Sequence, residues 1–206
     1  MPREGGFLNN IYSVARGTEM QRYYDDWSDS YDAELAAQDY RTPERCAQAL
    51  ARHSRDVEAA VLDFACGTGL SGVALNAAGF PCIDGMDVSD GMLREARAKG
   101  VYRRLLHADP DHPLDLRDAG YSAIVACGAI GAGAAPAECL DWAIDSLGRG
   151  GLFVVSLNDH TLEDPDFARR LTAAAEEGRA AIVEDDHGPH LPALGLGARV
   201  YVLRRE

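Results

Sequence analysis

The segment 61–70 constrains the fold of this chain more than any other. It is a short apolar run, VLDF, that breaks into the turn ACGTG and continues with helical periodicity from Leu70. A strand that ends in a glycine turn lets backbone N–H groups approach a ligand closely, because glycine lacks a Cβ and tolerates positive φ. The segment therefore predicts a cradle for a nucleotide-like ligand at the end of a strand.

Strands and helices alternate after this segment, which indicates a parallel α/β sheet. The predicted strands cover 61–64, 82–87, 102–107, 121–127 and 152–157, and helices are predicted over 70–78, 90–99, 140–147 and 166–177. Two further β-like runs, 179–184 and 198–203, are separated by a long loop that contains Pro189, Pro192 and Gly195. These two runs are expected to pair antiparallel without a tight hairpin.

Helical periodicity also dominates the first 55 residues. One helix is predicted to begin near Thr18, where Gln21 completes a capping box. A second is predicted to have Thr42 as its N-cap and Pro43 at the first helical position, and to run to about His53. Residues 1–55 are therefore expected to form a helical layer beside the α/β segment.

The first of these helices carries an aromatic stripe that consists of Tyr23, Tyr24, Trp27 and Tyr31. At helical spacing, such a stripe is more often part of a buried core than of a ligand site, and the pattern alone favours the core. Together these features predict a single domain over 1–206. It would consist of a helical lid region over 1–55 and an α/β core over 56–206.

The acidic composition argues against some functions. The chain has 33 acidic and 20 basic residues, a formal net charge of −13, and it would repel a phosphate backbone. We find no apolar segment typical of a signal peptide or long enough to span a membrane, and the five cysteines form no C-x-x-C pair. We therefore expect a cytoplasmic protein with no nucleic-acid or membrane partner; its oligomeric state stays open.

Two acidic residues narrow the choice of ligand for the glycine turn. Gly67, Gly69 and Gly72 fit the G-x-G-x-x-G pattern of dinucleotide-binding proteins. Asp63, however, lies in the preceding strand, where a pyrophosphate binder would disfavour a negative charge. Asp87 ends the next strand and can accept hydrogen bonds from both hydroxyls of a ribose. Carboxylates near both ends of the ligand suit a cofactor that has cationic groups and no phosphate, such as S-adenosylmethionine (SAM).

The sequence resembles the class I SAM-dependent methyltransferases over about residues 19–160, and also in the tail 197–205. Segment 61–69 is similar to the first motif of the family, with Ala65 in place of the commoner glycine. Segments 85–89 and 107–109 resemble the acidic second motif and the part that contacts adenine, and 23–32 resembles the tyrosine-rich leader of the small-molecule, Williams–Beuren-region-like branch. The resemblance implies a Rossmann-like fold with a seven-stranded mixed sheet of order 3-2-1-4-5-7-6, in which only strand seven is antiparallel.

The resemblance also implies which residues bind SAM. Asp63 would orient the glycine turn and, directly or through water, the methionine amino group. Asp87 would accept from the ribose hydroxyls, and Asp109 from the adenine amino group. The other implied contacts are the backbone of Ala65, Cys66, Gly67 and Gly69 around methionine and ribose, Val88 and Met92 on either side of adenine, the N–H of Ala108 opposite a ring nitrogen, Cys127 beside the sulfonium, and Tyr31 from the leader.

The methyl acceptor is the least specified part of the prediction. Segment 126–128, ACG, differs from the Asp/Asn-Pro-Pro-aromatic run of enzymes that methylate nucleic-acid bases or glutamine, so a small-molecule acceptor is expected. A non-catalytic SAM-binding protein and an NAD(P)-binding oxidoreductase remain alternatives. His160 is a possible base, although we predict that no side chain is essential as one. Segment 185–190 could ligate a metal, but an exposed turn without metal is the favoured interpretation.

Overall fold

A computed structural model describes residues 6–14, 17–109, 115–117 and 119–206. The helices are α1 (Thr18–Ala36), α2 (Thr42–His53), α3 (Leu70–Ala77), α4 (Asp90–Lys99), α5 (Glu138–Asp145), α6 (Asp159–Leu162) and α7 (Pro165–Glu176). The strands are β1 (Val61–Phe64), β2 (Ile83–Asp87), β3 (Arg104–His107), β4 (Ala123–Ala126), β5 (Leu152–Asn158), β6 (Ala180–Leu191) and β7 (Leu196–Arg205). Two 3₁₀ helices cover Leu8–Ser13 and Pro192–Leu194. Among the described helices, none combines the length and apolar character that crossing a bilayer requires.

All seven strands form one sheet of order β3-β2-β1-β4-β5-β7-β6. The pairs among β1 to β5 are parallel, whereas β7 is antiparallel to both of its neighbours. This is the strand order that the resemblance implies, and the fold prediction is confirmed. Because parallel strands end at the same edge of a sheet, the turns after β1, β2 and β4 meet there, and the crevice outside these strand ends is where such folds bind ligands.

Helices cover both faces of the sheet. On one face, Leu140 and Ile144 of α5 pack in the same buried cluster as Phe153 of β5. On the other face, Leu50 of α2 lies in the cluster that includes Val154 of β5. Adjacent residues of β5 thus enter opposite layers, which explains why this strand is apolar at nearly every position rather than at every second one.

The predicted helical layer over residues 1–55 is divided in the structure. Helix α2 belongs to the sheet core, whereas α1 has a separate small cluster made of the buried residues Ile11, Met20, Tyr23 and Trp27. The Thr18–Gln21 capping box does not form, because Gln21 Nε2 donates instead to the carbonyl oxygen of Val88 at 2.7 Å. Helix α1 is therefore tied to the end of β2.

Two carboxylates of α1 strengthen this attachment. Asp25 Oδ1 accepts hydrogen bonds from Ser89 Oγ at 2.5 Å and from the N–H of Gly91 at 3.0 Å. Asp32 accepts a hydrogen bond from Thr68 Oγ1 at 2.5 Å and forms an ion pair with the amino group of Lys99 in α4. A Cβ at Gly91 would lie 3.1 Å from the Cα of Asp25, so glycine allows α1 to approach α4 this closely. Helix α1 is thereby bonded to the turns after β1 and β2.

The end of the chain differs from its prediction. Strand β6 continues through 185–190 to Leu191, and only the four residues 192–195 connect it to β7, so the expected long loop and exposed turn are wrong. Because β6 is an edge strand, it tolerates charged residues and Pro189, which has no N–H to donate. Within the described residues, no cluster of His, Cys, Asp or Glu could hold a metal ion.

His190 lies inside the protein at the end of this strand. Its Nδ1 is 2.7 Å from Thr42 Oγ1, so the threonine predicted to cap α2 bonds the imidazole instead. The ring also packs edge-on against the ring of Tyr40, with the two ring centroids 5.3 Å apart. Burial lowers the pKa of His190 to about 4.

This burial makes part of the stability depend on pH. The unfolded chain protonates His190 near its ordinary pKa of about 6.5, whereas the folded chain resists protonation, so stability falls as the pH falls below about 6.5. We expect His190 to account for a loss of about 2 kcal/mol in the free energy of unfolding between pH 7 and pH 5. Urea titrations of the wild type and His190→Gln at both pH values measure it. An equal loss in the two proteins would contradict the assignment.

Candidate functional site

A cavity with a volume of about 530 Å³ lies at the ends of β1, β2 and β4, beneath α1. Ten of the predicted site residues line it, namely Tyr31, Ala65, Cys66, Gly67, Asp87, Val88, Met92, Ala108, Asp109 and Cys127. Two others, Asp63 and Gly69, are not among the lining residues. The structure thus brings ten of the predicted site residues together around one cavity, whereas Asp63 and Gly69 lie outside its lining.

The glycine turn after β1 begins with a strained residue. Ala65 has a φ of 50°, in the left-handed region that glycine adopts most easily. This conformation explains why the family prefers glycine at the position. Gly69 has a φ of 93°, caps α3, and donates its N–H to the carbonyl oxygen of Cys66 at 2.9 Å. Gly69 is not among the lining residues and its backbone shapes the turn, so its contact with a ligand stays a prediction.

Asp87 is held in place by backbone groups. Its Oδ2 accepts from the N–H of Gly67 and its Oδ1 from the N–H of Ser89, both at 2.9 Å. Burial raises the pKa of Asp87, and these hydrogen bonds offset part of that rise. A carboxylate has about four acceptor positions, so the two that remain can serve a ligand in the cavity.

Asp63 is fully buried beneath the glycine turn. Its Oδ2 accepts from Ser71 Oγ at 2.7 Å and from the hydroxyl of Tyr102 at 2.6 Å. Its Oδ1 has no hydrogen-bond partner within the part of the chain that the structure describes. Burial raises the pKa of Asp63 to about 6. A buried acceptor without a donor suits a site that receives an ammonium group or a water molecule, since an unsatisfied buried acceptor is costly.

The end of the cavity at β3 is lined by Val88, Met92, Ala108 and Asp109. The N–H of Ala108 donates to the carbonyl oxygen of Asp87 at 2.8 Å, as a continuation of the pairing between β2 and β3. The expectation that this N–H faces an adenine ring nitrogen is therefore wrong. The residues Val88, Met92 and Asp109 line the cavity at this end.

Two tyrosines that sequence reasoning did not assign to the site also line the cavity. Tyr24 was expected in the core with Tyr23 and Trp27, but only the latter two are buried, and Tyr24 faces the cavity. Tyr40 follows α1, and its hydroxyl lies 3.6 Å from Cys127 Sγ. The periodicity of the stripe could have placed Tyr24 on the cavity side only if the direction of α1 were known. The sequence around Tyr40 has no such pattern.

The groups beside Tyr40 are uncharged near neutral pH. Burial raises the pKa of Tyr31 and of Tyr40 well above the usual range. A hydrogen bond with the thiol of Cys46, together with burial, raises the pKa of Cys127 in the same direction. His160, the possible base, lies in α6 and is not among the residues that line the cavity. Its Nδ1 is 3.7 Å from Glu163 Oε1. The buried tyrosines and the thiol in this part of the cavity can orient a ligand and exclude water, but they are not charged bases near neutral pH.

Comparisons with known proteins identify the type of domain. Residues 61–151 match the family model described as a methyltransferase domain. Human methyltransferase-like protein 27 is 33% identical over 151 residues, which are 66% of this chain and 60% of that protein. This chain therefore spans about three fifths of the length of that relative.

Solved structures share the fold. A putative class I SAM-dependent methyltransferase from Listeria monocytogenes has a TM-score of 0.61 at 15% identity, over 97% of this chain and 78% of that one. A Burkholderia thailandensis 1,6-didemethyltoxoflavin-N1-methyltransferase, with bound 1,6-didemethyltoxoflavin and S-adenosylhomocysteine, has a TM-score of 0.60 at 19% identity, over 93% and 92% of the two chains. The strand order, the glycine turn with its two aspartates and these matches agree: residues 61–151 match a methyltransferase domain, and the chain has the fold of the class I SAM-dependent methyltransferases.

Proposed function

We propose that this protein transfers the methyl group of SAM to a small-molecule acceptor. The observation that carries the proposal is that ten of the predicted cofactor residues line one cavity together with a second, largely apolar wall. That wall comes from α1, from Tyr40 and Pro43, and from the segment between β4 and α5. A volume of about 530 Å³ is within the range of small-molecule sites.

Within this proposal, each part of the cavity has one task. Asp87 accepts hydrogen bonds from the ribose hydroxyls, and Val88 and Met92 pack on the adenine. Asp109 accepts from the adenine amino group. The turn around Gly67 holds the methionine end, and Asp63 is behind it as the counter-charge. Tyr31 and Cys127 line the region where the sulfonium would lie, which brings Tyr40 close to the transferred methyl group.

The proposed chemistry needs alignment more than proton transfer. SAM supplies a methyl group that is already activated by the positive sulfur. Holding an acceptor in line at near-attack distance can contribute up to roughly 7 to 11 kcal/mol of the barrier reduction. Tyr31, Tyr40 and Cys127 keep their protons near neutral pH, because burial raises the pKa of both tyrosines, and the hydrogen bond with Cys46 together with burial raises that of Cys127. The acceptor atom should therefore enter with a free lone pair, and any proton that it carries leaves to solvent after transfer.

Binding and turnover measurements test the proposal. We expect calorimetry to detect SAM and S-adenosylhomocysteine binding but no NADH binding. We also expect incubation with SAM and a metabolite extract to convert SAM to S-adenosylhomocysteine, while one extract component gains the mass of one methyl group. SAM binding without turnover in any extract would favour the non-catalytic alternative. NADH binding in place of SAM binding would contradict both.

A further inference from the structure

The ring of Tyr102 occupies a socket under the glycine turn. A Cβ at Gly72 would lie 2.3 Å from both Cζ and the hydroxyl oxygen of this ring, far inside van der Waals contact. Cβ atoms at Gly69 and Gly85 would lie 3.0 Å from other ring atoms. Three glycines from the turn, α3 and β2 therefore leave the space that this single side chain fills.

The hydroxyl of Tyr102 reaches the most buried carboxylate next to the cavity. It donates to Asp63 Oδ2 at 2.6 Å, and Ser71 Oγ donates to the same atom at 2.7 Å. Asp63 is 0% exposed, so no solvent competes for this oxygen. Two donors on Oδ2 fix the carboxylate plane and leave Oδ1 as the atom with no partner among the described residues.

We propose that Tyr102 is a positioning residue of the cofactor site, which holds the Asp63 carboxylate and the glycine turn in the arrangement that receives the methionine end of SAM. This inference rests on the proposed function. It also assigns a role to Gly72, the third glycine of the G-x-G-x-x-G pattern. In dinucleotide-binding proteins that glycine allows close packing of helix and strand, whereas here it makes room for a tyrosine.

The hydroxyl also favours the charged form of Asp63. Burial raises the pKa of Asp63, and the hydrogen bonds from Tyr102 and Ser71 counteract that rise. The other titratable groups that interact with Asp63 are Asp87 of β2 and the thiols of Cys66 and Cys127. Both thiols stay protonated near neutral pH because their pKa values are raised, and the charge of Asp87 opposes ionisation of Asp63. Without the Tyr102 hydroxyl, a larger fraction of Asp63 would be protonated near neutrality.

The substitution Tyr102→Phe tests this role, because it removes the hydroxyl and keeps the ring in its socket. A matched control is Tyr121→Phe. The hydroxyl of Tyr121 donates to the buried Asp84 at 2.9 Å, and neither residue lines the cavity. SAM binding is measured by calorimetry for the wild type and both variants at pH 6.5, 7.5 and 8.5, and each variant is compared with the wild type at the same pH.

We expect Tyr102→Phe to bind SAM roughly five- to tenfold more weakly at pH 6.5, with the ratio falling below about twofold at pH 8.5, where Asp63 is ionised in both proteins. Tyr121→Phe should bind as the wild type does at every pH. A deficit that is constant with pH, or no deficit, would overturn the inference while leaving the proposed function intact. Absence of SAM binding by the wild type would instead overturn the proposed function and, with it, this inference.

Discussion

Replacing Asp87 with alanine is expected to weaken SAM binding by about 2 to 4 kcal/mol, or roughly thirtyfold to a thousandfold. The carboxylate is already oriented by the N–H groups of Gly67 and Ser89, so its remaining lone pairs are fixed in the cavity before the ligand arrives. Losing two charge-assisted hydrogen bonds, with partial compensation by water, gives the expected size. Calorimetric titration of Asp87→Ala with SAM measures it.

The neighbouring Asp90 offers the control. It is the first residue of α4, close to Asp87 in the chain, but its side chain is 88% exposed, so Asp90→Ala should bind SAM normally. Because Asp87 also anchors the turn, Asp87→Asn is included as a second variant that keeps one carbonyl oxygen. It should lose less affinity than the alanine variant. An unchanged dissociation constant in Asp87→Ala would remove the ribose assignment.

The second large effect is expected at Trp27, a residue of α1 that lies at the centre of the separate small cluster of this helix. Its ring is 2% exposed and packs against Phe7, Tyr23, Tyr24 and Tyr31. Removing a buried aromatic ring of this size costs about 3 to 5 kcal/mol. Since this cluster is separate from the two sheet cores, Trp27→Ala should open α1 without unfolding the sheet.

Hydrogen exchange distinguishes the two kinds of unfolding. With SAM present, the amides of Thr18–Ala36 should exchange faster in Trp27→Ala than in the wild type, while those of β1 and β4 keep their protection. In the control Ile144→Ala, whose side chain belongs to a sheet core, protection should fall in the sheet as well. In the wild type, we expect α1 to exchange slowly only when SAM or S-adenosylhomocysteine is present. Equal protection with and without ligand would mean that α1 is ordinary core and does not act as a lid.

The sequence predicted those parts of the fold in which local pattern and tertiary structure agree. The turn around Gly67, the helix α4 over Asp90–Lys99 and the apolar strands each have a signal within a few residues, and the sheet order followed from the family resemblance. Strand β6 was missed because its polar residues and Pro189 look like a loop, and only its place at the sheet edge makes them compatible with a strand.

The details of the site depended on contacts distant in sequence. Tyr40 meets Cys127 across 87 residues, and Tyr102 meets Asp63 across 39. The Ala108 N–H was misassigned because its use depends on how β3 pairs with β2, which a motif does not encode. Residue types thus predicted which groups could bind SAM, whereas the sheet register decides which of them are free to do so.

Through the hydrogen bonds of Asp25 and Asp32, helix α1 contacts the same two turns that would bind the cofactor. Asp32 binds Thr68, next to Gly67, and Asp25 binds Ser89, two residues after Asp87. If closing α1 orders these turns, binding linkage requires that SAM favours closure by the same factor by which closure favours SAM. A substitution at Asp32 that touches no atom of the cofactor would then change its affinity, and a truncated analogue that leaves the turns unordered would leave α1 open.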